Sequence, residues 1–266
     1  MQLINETQCS LLEAVNRFTF LSVSHFEILT GKSKSYLRAM LAELTSAGYL
    51  KSYRIEVSYQ VRAENTYYLH QKGADFLRTH KHAFVDHVNT GTVVIVRDHF
   101  HRHRYISLLI AITMFADTQG ISLELCSSYF TKSGSTKQGN LQAVTYIPLE
   151  GKGYYVPDGV IRTAQSLHLL ELYNDKDIKR ITASIATHAK AIALGTPGKT
   201  FNVPANPKVI ACFTHADFME RIIQKLQKTE GFFPMQHLFY FGALTDAQQH
   251  FASAFSTIAN QPLQFM

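Results

Sequence analysis

The seven residues Leu167 to Tyr173, LHLLELY, set Leu167, Leu169, Glu171 and Tyr173 on one side of an extended chain and His168, Leu170 and Leu172 on the other. Both sides are largely apolar, which predicts a central strand covered on both faces. A second run, Tyr154 to Arg162, is rich in β-branched, aromatic and aliphatic residues, and the polar stretch Thr163, Ala164, Gln165, Ser166 separates the two as the turn of a hairpin. Pairing Arg162 with Leu167 fixes the register and brings Asp158 opposite Glu171 on one face of the sheet.

Helical spacing dominates the first 80 residues. Asn5 caps a helix carrying Leu11, Leu12, Val15 and Phe18; Ser24 caps a short one, HFEILTG, that Gly31 ends. Ser33 or Ser35 opens a third, with Leu37, Met40, Leu41 and Leu44 as its apolar stripe and Gly48 as its stop. Tyr49 to Val57 and Asn65 to Leu69 read as strands, and QKGADFLRTH as a closing helix. Helix, helix, helix, strand, strand, helix is the order of a winged helix-turn-helix. The N-terminal end of its third helix would enter the major groove of DNA. Lys32, Ser33, Lys34, Ser35 and Arg38 lie at that end; Arg54, Arg62 and Lys72, near the wing, are candidate phosphate contacts. A winged helix used for protein contacts or dimerisation has the same pattern.

Downstream, the spacing predicts an apolar run TVVIV, a helix over 104–117, a strand Ile121 to Ser127, the hairpin, and a helix Asp177 to Leu194. Asp177 caps that helix, Gly195 ends it, and Ile178, Ile181, Ile185, Ala189 and Ile192 form its stripe. Strand KVIACFT, helix Ala216 to Lys228, strand His237 to Phe241 and helix Asp246 to Ile258 complete a mixed α/β sheet covered on both faces. The division predicted is a DNA-binding domain over 1–82, a linker over 83–99 and an α/β domain over 100–266.

Two carboxylates facing each other across a hairpin repel, so Asp158 and Glu171 point to a compensating cation, and hard oxygen ligands suit Mg²⁺ or Mn²⁺. The plainer reading is one exposed acid on each strand. The buried strand argues against it, because a lone acid there is expensive. Pro157 also removes a ladder donor and marks a strand start or bulge. His99, His101 and His103 alternate in HFHRHR as surface or DNA-facing side chains, with Arg102 where a nickase histidine motif has an apolar residue. His103 opens the first helix of the second domain and is a candidate for its site.

Composition adds little to this fold but narrows the partner. The chain has 266 residues, 46% hydrophobic and 17% charged, with a formal net charge of +6. That balance is ordinary for packed globular domains and favours an anionic partner, nucleic acid first. Lys132, Lys137 and Lys152, in polar glycine-containing loops, either track phosphates or are only loop charges. Cys9, Cys126 and Cys212 show no CxxC spacing and read as buried free thiols, which with the absence of a signal-like or membrane-spanning run predicts a cytoplasmic protein not inserted in a membrane.

Pro157-Asp158, twelve intervening residues, then Glu171-Leu172-Tyr173 resembles the PD-(D/E)xK arrangement of restriction-endonuclease-like nucleases. Tyr173 stands in the lysine slot of that pattern; Lys176, Lys179 and Lys190 are alternative lysines or solvated surface charges. A winged helix joined to such a domain is similar to the bacterial replication-relaxation family, nearest its MOBC-type plasmid relaxases. The resemblance implies a mobilisation protein that binds double-stranded DNA at an origin of transfer and nicks one strand with Mg²⁺ or Mn²⁺, holding nicked or single-stranded DNA alongside relaxosome or coupling proteins. Asp158 and Glu171 carry over as metal ligands. Tyr173 is the nucleophile if a covalent step exists, its phenolate favoured by a metal or lysine. The competing expectation is a DNA-binding accessory protein or regulator with a degenerate nuclease domain.

Overall fold

The computed structural model describes residues 4–54, 64–85, 99–127, 144–149, 151, 153–204 and 206–264. It is a mixed α/β chain in two compact units, Met1–Ile110 and Ala111–Met266.

In the first unit, α1 (Glu6–Phe18) starts on a capping box: Asn5 Oδ1 accepts from the Gln8 N–H at 2.8 Å and Gln8 Oε1 from the Asn5 N–H at 3.1 Å. Its buried side carries Leu11, Leu12, Val15 and Phe18, as the spacing predicts. A strand that the sequence pattern did not predict follows, β1 (Phe20–Ser22), three residues being too few to display a period. The second helix, α2 (Val23–Thr30), is capped by Ser22, not Ser24. The backbone N–H and hydroxyl of Ser24 instead donate to Glu64 Oε1 at 2.7 and 2.9 Å, a partner 40 positions away that local pattern cannot show. Gly31 ends α2 at φ 65°, Ser33 caps α3 (Lys34–Ser46), and α3 buries Leu37, Leu41 and Leu44. β2 (Leu50–Arg54) and β3 (Asn65–Leu69) pair antiparallel, with β3 central between β1 and β2. The predicted end of the β2 strand at Val57, Arg62, and the TVVIV run lie outside the described residues. α4 (Gln71–Lys81) closes the sequence of elements.

The next helix, α5 (His99–Gln119), begins five residues before the predicted 104, and the division between the units falls inside it. Its first turns carry no apolar period because their packing is made by histidines, so the pattern did not show the start. His99 and His103, four apart on one face, lie over Phe20 and His25, with ring centroids 5.3 and 4.2 Å apart respectively. They are therefore partly buried in the first unit, and Arg102 is buried.

Among the described residues of the second unit, one five-stranded sheet runs in sequential order: β4 (Glu124–Ser127), β7 (Gly159–Arg162), β8 (Leu167–Tyr173), β9 (Lys208–Phe213) and β10 (Phe239–Ala243). β4, β7 and β8 form an antiparallel meander, and β8, β9 and β10 are parallel. The parallel pairs need crossovers, and the helices supply them. β8 crosses to β9 through α6 (Ile178–Ala193) and α7 (Thr196–Thr200), and β9 to β10 through α8 (Ala216–Leu226) and a 3₁₀ segment Glu230–Leu238. Asp177 caps α6 by accepting from the Arg180 N–H at 3.1 Å, and Gly195 follows it at φ 66°. One core joins Leu167, Leu169, Val209, Ala211 and Phe213 of the sheet to Ile181, Ile185 and Ile192 of α6 and Phe218 and Ile222 of α8. β10 leads into α9 (Leu244–Ala254), whose Phe251 packs on Phe115 of α5 with ring centroids 5.3 Å apart.

All seven residues of β8 are buried, as predicted. The run Tyr154 to Arg162 is not one strand. Tyr154–Tyr155 (β6) pairs with Ile147–Pro148 (β5) in a separate small sheet, and the chain bends before β7 begins at Gly159. The described residues hold no helix long and apolar enough to cross a membrane. Cys9 and Cys212 are buried free thiols and Cys126 is half-buried.

Candidate functional site

Arg162 pairs with Leu167 and Gly159 with Leu170, so the register continued by one residue sets Asp158 across from Glu171. The next step would pair Pro157 with Leu172, and there the ladder gives way. The Pro157 carbonyl accepts from Thr145 Oγ1 at 2.7 Å, and the Leu172 N–H donates to Asp158 Oδ2 at 2.9 Å. A carboxylate thus replaces a main-chain carbonyl at the point where β7 leaves β8. The substitution satisfies a buried donor and holds the acid beside the backbone of Glu171.

Asp158 is 3% exposed and Glu171 8%. Glu171 Oε1 lies 3.2 Å from Nε2 of His188, which α6 projects into the core at 1% exposure. The Tyr155 ring meets the imidazole edge-on, centroids 4.9 Å apart at 77°. Burial first, and then the Glu171 charge, push the Tyr155 phenol well up. Tyr155 Oη and His188 Nδ1 are both buried without a hydrogen-bond partner among the described residues.

Tyr173 sits on the same face of β8 as Glu171, fully in the core, its hydroxyl 3.1 Å from Ser184 Oγ and its ring tilted on Phe213. Its phenol is held well above the ordinary range, by burial first, then by the charge of Glu171, with Asp158 adding to the shift; the Ser184 hydrogen bond opposes it. Burial and the two carboxylates thus disfavour the phenolate in the protein alone, and no lysine lies in the position that would favour it, since the lysine slot is Tyr173 itself. Lys176, Lys179 and Lys190 are all exposed. The side chain that α6 brings to Glu171 is His188, which the sequence reading passed over. Its signal was its place in the stripe, three residues after Ile185 and four before Ile192, where an aliphatic residue is the ordinary choice.

His103 belongs to the first unit. Its Nε2 is 3.2 Å from Ser22 Oγ and its ring stacks on His25. The predicted DNA-facing residues gather around the start of α3. Lys32, Ser35 and Arg38 are exposed, Lys32 Nζ lies 5.3 Å from the Tyr36 ring centroid, and Tyr36 is itself 43% exposed. Ser33 Oγ is occupied as the cap, accepting from the Tyr36 N–H at 3.4 Å, and Lys34 pairs with Glu27 at 3.3 Å. Arg54 is exposed at the end of β2. Lys72 serves the fold: its Nζ donates to the Ala47 carbonyl at 2.7 Å and lies 4.2 Å from the Tyr49 ring centroid. Lys132, Lys137 and Lys152 lie outside the described residues.

No cluster of three or more His, Cys, Asp or Glu side chains able to hold a metal occurs among the described residues. Two hard carboxylates without a third such ligand do not make a Zn²⁺ site. As hard oxygen donors they are of the type that Mg²⁺ or Mn²⁺ takes, one or two carboxylates at a time with waters completing the shell. Comparison of the chain with models of protein families, with curated proteins and with solved structures finds no match.

Proposed function

We propose that the chain is a DNA-binding nuclease of the relaxase kind, which binds an origin of transfer through a winged helix in its first unit and nicks one strand at Asp158 and Glu171. The observation that carries the reading is the buried carboxylate pair at the break between β7 and β8. It rests also on the order of elements around that pair, a helix, a three-stranded antiparallel meander, a helix and a parallel strand, which is the order that the resemblance to PD-(D/E)xK nucleases implies.

Asp158 and Glu171 would hold a Mg²⁺ or Mn²⁺ ion, which when bound supplies a Lewis acid for the scissile phosphate and lowers the pKa of a bound water. The protein's own part is to hold the two carboxylates in place on facing strand positions. The Leu172 N–H holds Asp158, and His188 holds Glu171. Water is the nucleophile in this reading, because the Tyr173 hydroxyl is buried and engaged with Ser184 Oγ at 3.1 Å. Lys32, Ser35 and Arg38, exposed at the start of α3, would meet the duplex, with Arg54 as a further phosphate contact.

One observation favours the second reading, a DNA-binding accessory protein or regulator with a silent nuclease fold: Tyr173 fills the lysine slot, and Lys176, Lys179 and Lys190 are exposed. Conversion of supercoiled plasmid bearing the cognate origin to open circle decides between them. Wild type with Mg²⁺ or Mn²⁺ nicks, while chelator, Asp158→Asn and Glu171→Gln each lower the rate by about a hundredfold or more. Site-specific binding without nicking would leave the accessory reading.

A further inference from the structure

A histidine in the middle of the α6 stripe has a cost that packing does not explain. Burying an imidazole where Ile181, Ile185 and Ile192 line the same core removes its polar atoms from water, and a leucine would fill the place without that cost. Among the described residues only one of the two ring nitrogens gains a partner in return: Nε2 meets Glu171 Oε1 at 3.2 Å, and Nδ1 has no hydrogen-bond partner there. An ionised carboxylate only accepts, so Nε2 carries the proton, and in the neutral ring Nδ1 is a bare lone pair. The Tyr155 edge against the ring fixes its plane.

We infer that His188 is a positioning residue for the metal-binding carboxylate Glu171: its Nε2–H fixes the rotation of the carboxylate group, and the tilt of the imidazole is set in turn by Tyr155. The inference rests on the reading of Asp158 and Glu171 as a Mg²⁺ or Mn²⁺ site. It gives α6 a task that the exposed lysines of that helix do not perform. Outer partners of this kind orient the ligand they touch, and their loss typically lowers metal affinity about 10–100-fold.

The test is Mn²⁺ binding to the full chain without DNA, read from the electron paramagnetic resonance signal of the free ion, with thermal melts of each variant alongside. His188→Leu fills the volume and removes the donor, and its Mn²⁺ affinity should fall at least about tenfold with little change in the melt. His188→Gln can return an N–H to the position of Nε2 and should bind within a few-fold of wild type. His188→Asn places its amide nitrogen nearer the position of Nδ1, so it should behave as the leucine variant does; this comparison stands even if His188→Leu does not fold. Equal affinity in wild type, leucine and asparagine variants overturns the positioning role and leaves the metal site intact. Failure of wild type to bind Mn²⁺ more tightly than Glu171→Gln overturns the metal reading and this inference with it.

Discussion

His25 is a residue whose protonation state follows from its partners. The Ser22 N–H donates to its Nδ1 at 3.3 Å, so that nitrogen is unprotonated; Nε2 therefore carries the hydrogen and gives it to Ser107 Oγ at 2.9 Å, which donates onward to the His103 carbonyl at 3.1 Å. A second proton on His25 would set two donors against each other in a buried site. Burial lowers its pKa well below the ordinary value, and the neighbouring His103 and His99 lower it further. His99 is lowered to about 4, first by burial, and His103 is lowered by burial with Glu64 pulling the other way. Folded pKa values below the unfolded 6.5 mean that the unfolded chain binds more protons in the interval. The stability these histidines contribute is present above 6.5 and lost as pH falls toward about 4. The thermal midpoint of the first unit should therefore drop across that window, with net proton uptake on unfolding measured by titration calorimetry at about pH 5. A midpoint flat between pH 7 and 4.5 would count against the buried neutral network.

At the scale of the element, α4 shows packing overruling propensity. Alanine is the better helix former by about 1 kcal/mol, so Gly73→Ala ought to stabilise α4 if only local preference mattered. A Cβ at Gly73, however, would stand 2.3 Å from the Tyr49 carbonyl oxygen, a backbone atom that cannot swing aside. Overpacking of this kind costs about 1–3 kcal/mol, which exceeds the propensity gain over most of its range. Chemical denaturation should show Gly73→Ala less stable than wild type, and a more stable variant would refute the close approach. The same contrast explains what the sequence disclosed. Asn5, Gly31, Asp177 and Gly195, and Ser33 as one of two choices with Ser35, were legible as helix ends because capping is decided by a residue and its near neighbours. Burial of β8 on both faces was legible because alternation is local too. What long-range partners decide was not: the Ser24–Glu64 bonds that take Ser24 from the helix end, the break at Pro157 where Thr145 takes its carbonyl, and the histidine-packed start of α5. At the candidate site, the register and both acids could be read from the hairpin. His188 could not, since its partner lies 17 positions away on another element.

For the whole molecule, the net charge of +6 is a weak argument for nucleic acid, because charge alone does not say where an anion would bind. The distribution says more. Lys34 is already paired with Glu27 and Lys72 is committed to the end of α3, whereas Lys32 and Arg38 are exposed on either side of the Tyr36 ring position in sequence. If those two cations each neutralise a DNA phosphate, every lost contact should lower the slope of log affinity against log salt by about 0.9. The double variant Lys32→Ala/Arg38→Ala should then bind duplex DNA more weakly, with a slope shallower by roughly 2, and the loss should be similar across sequences because phosphate contacts carry no sequence information. Without divalent metal, Glu171→Gln should leave both affinity and slope unchanged, since its carboxylate is buried in the second unit with His188 as its partner, while with metal it should lose the proposed cleavage. Fluorescence anisotropy over a series of salt concentrations measures all three proteins. A slope unaltered in the double variant would move DNA binding away from α3, and a Glu171→Gln protein that lost binding along with cleavage would show that the two units do not divide recognition from chemistry.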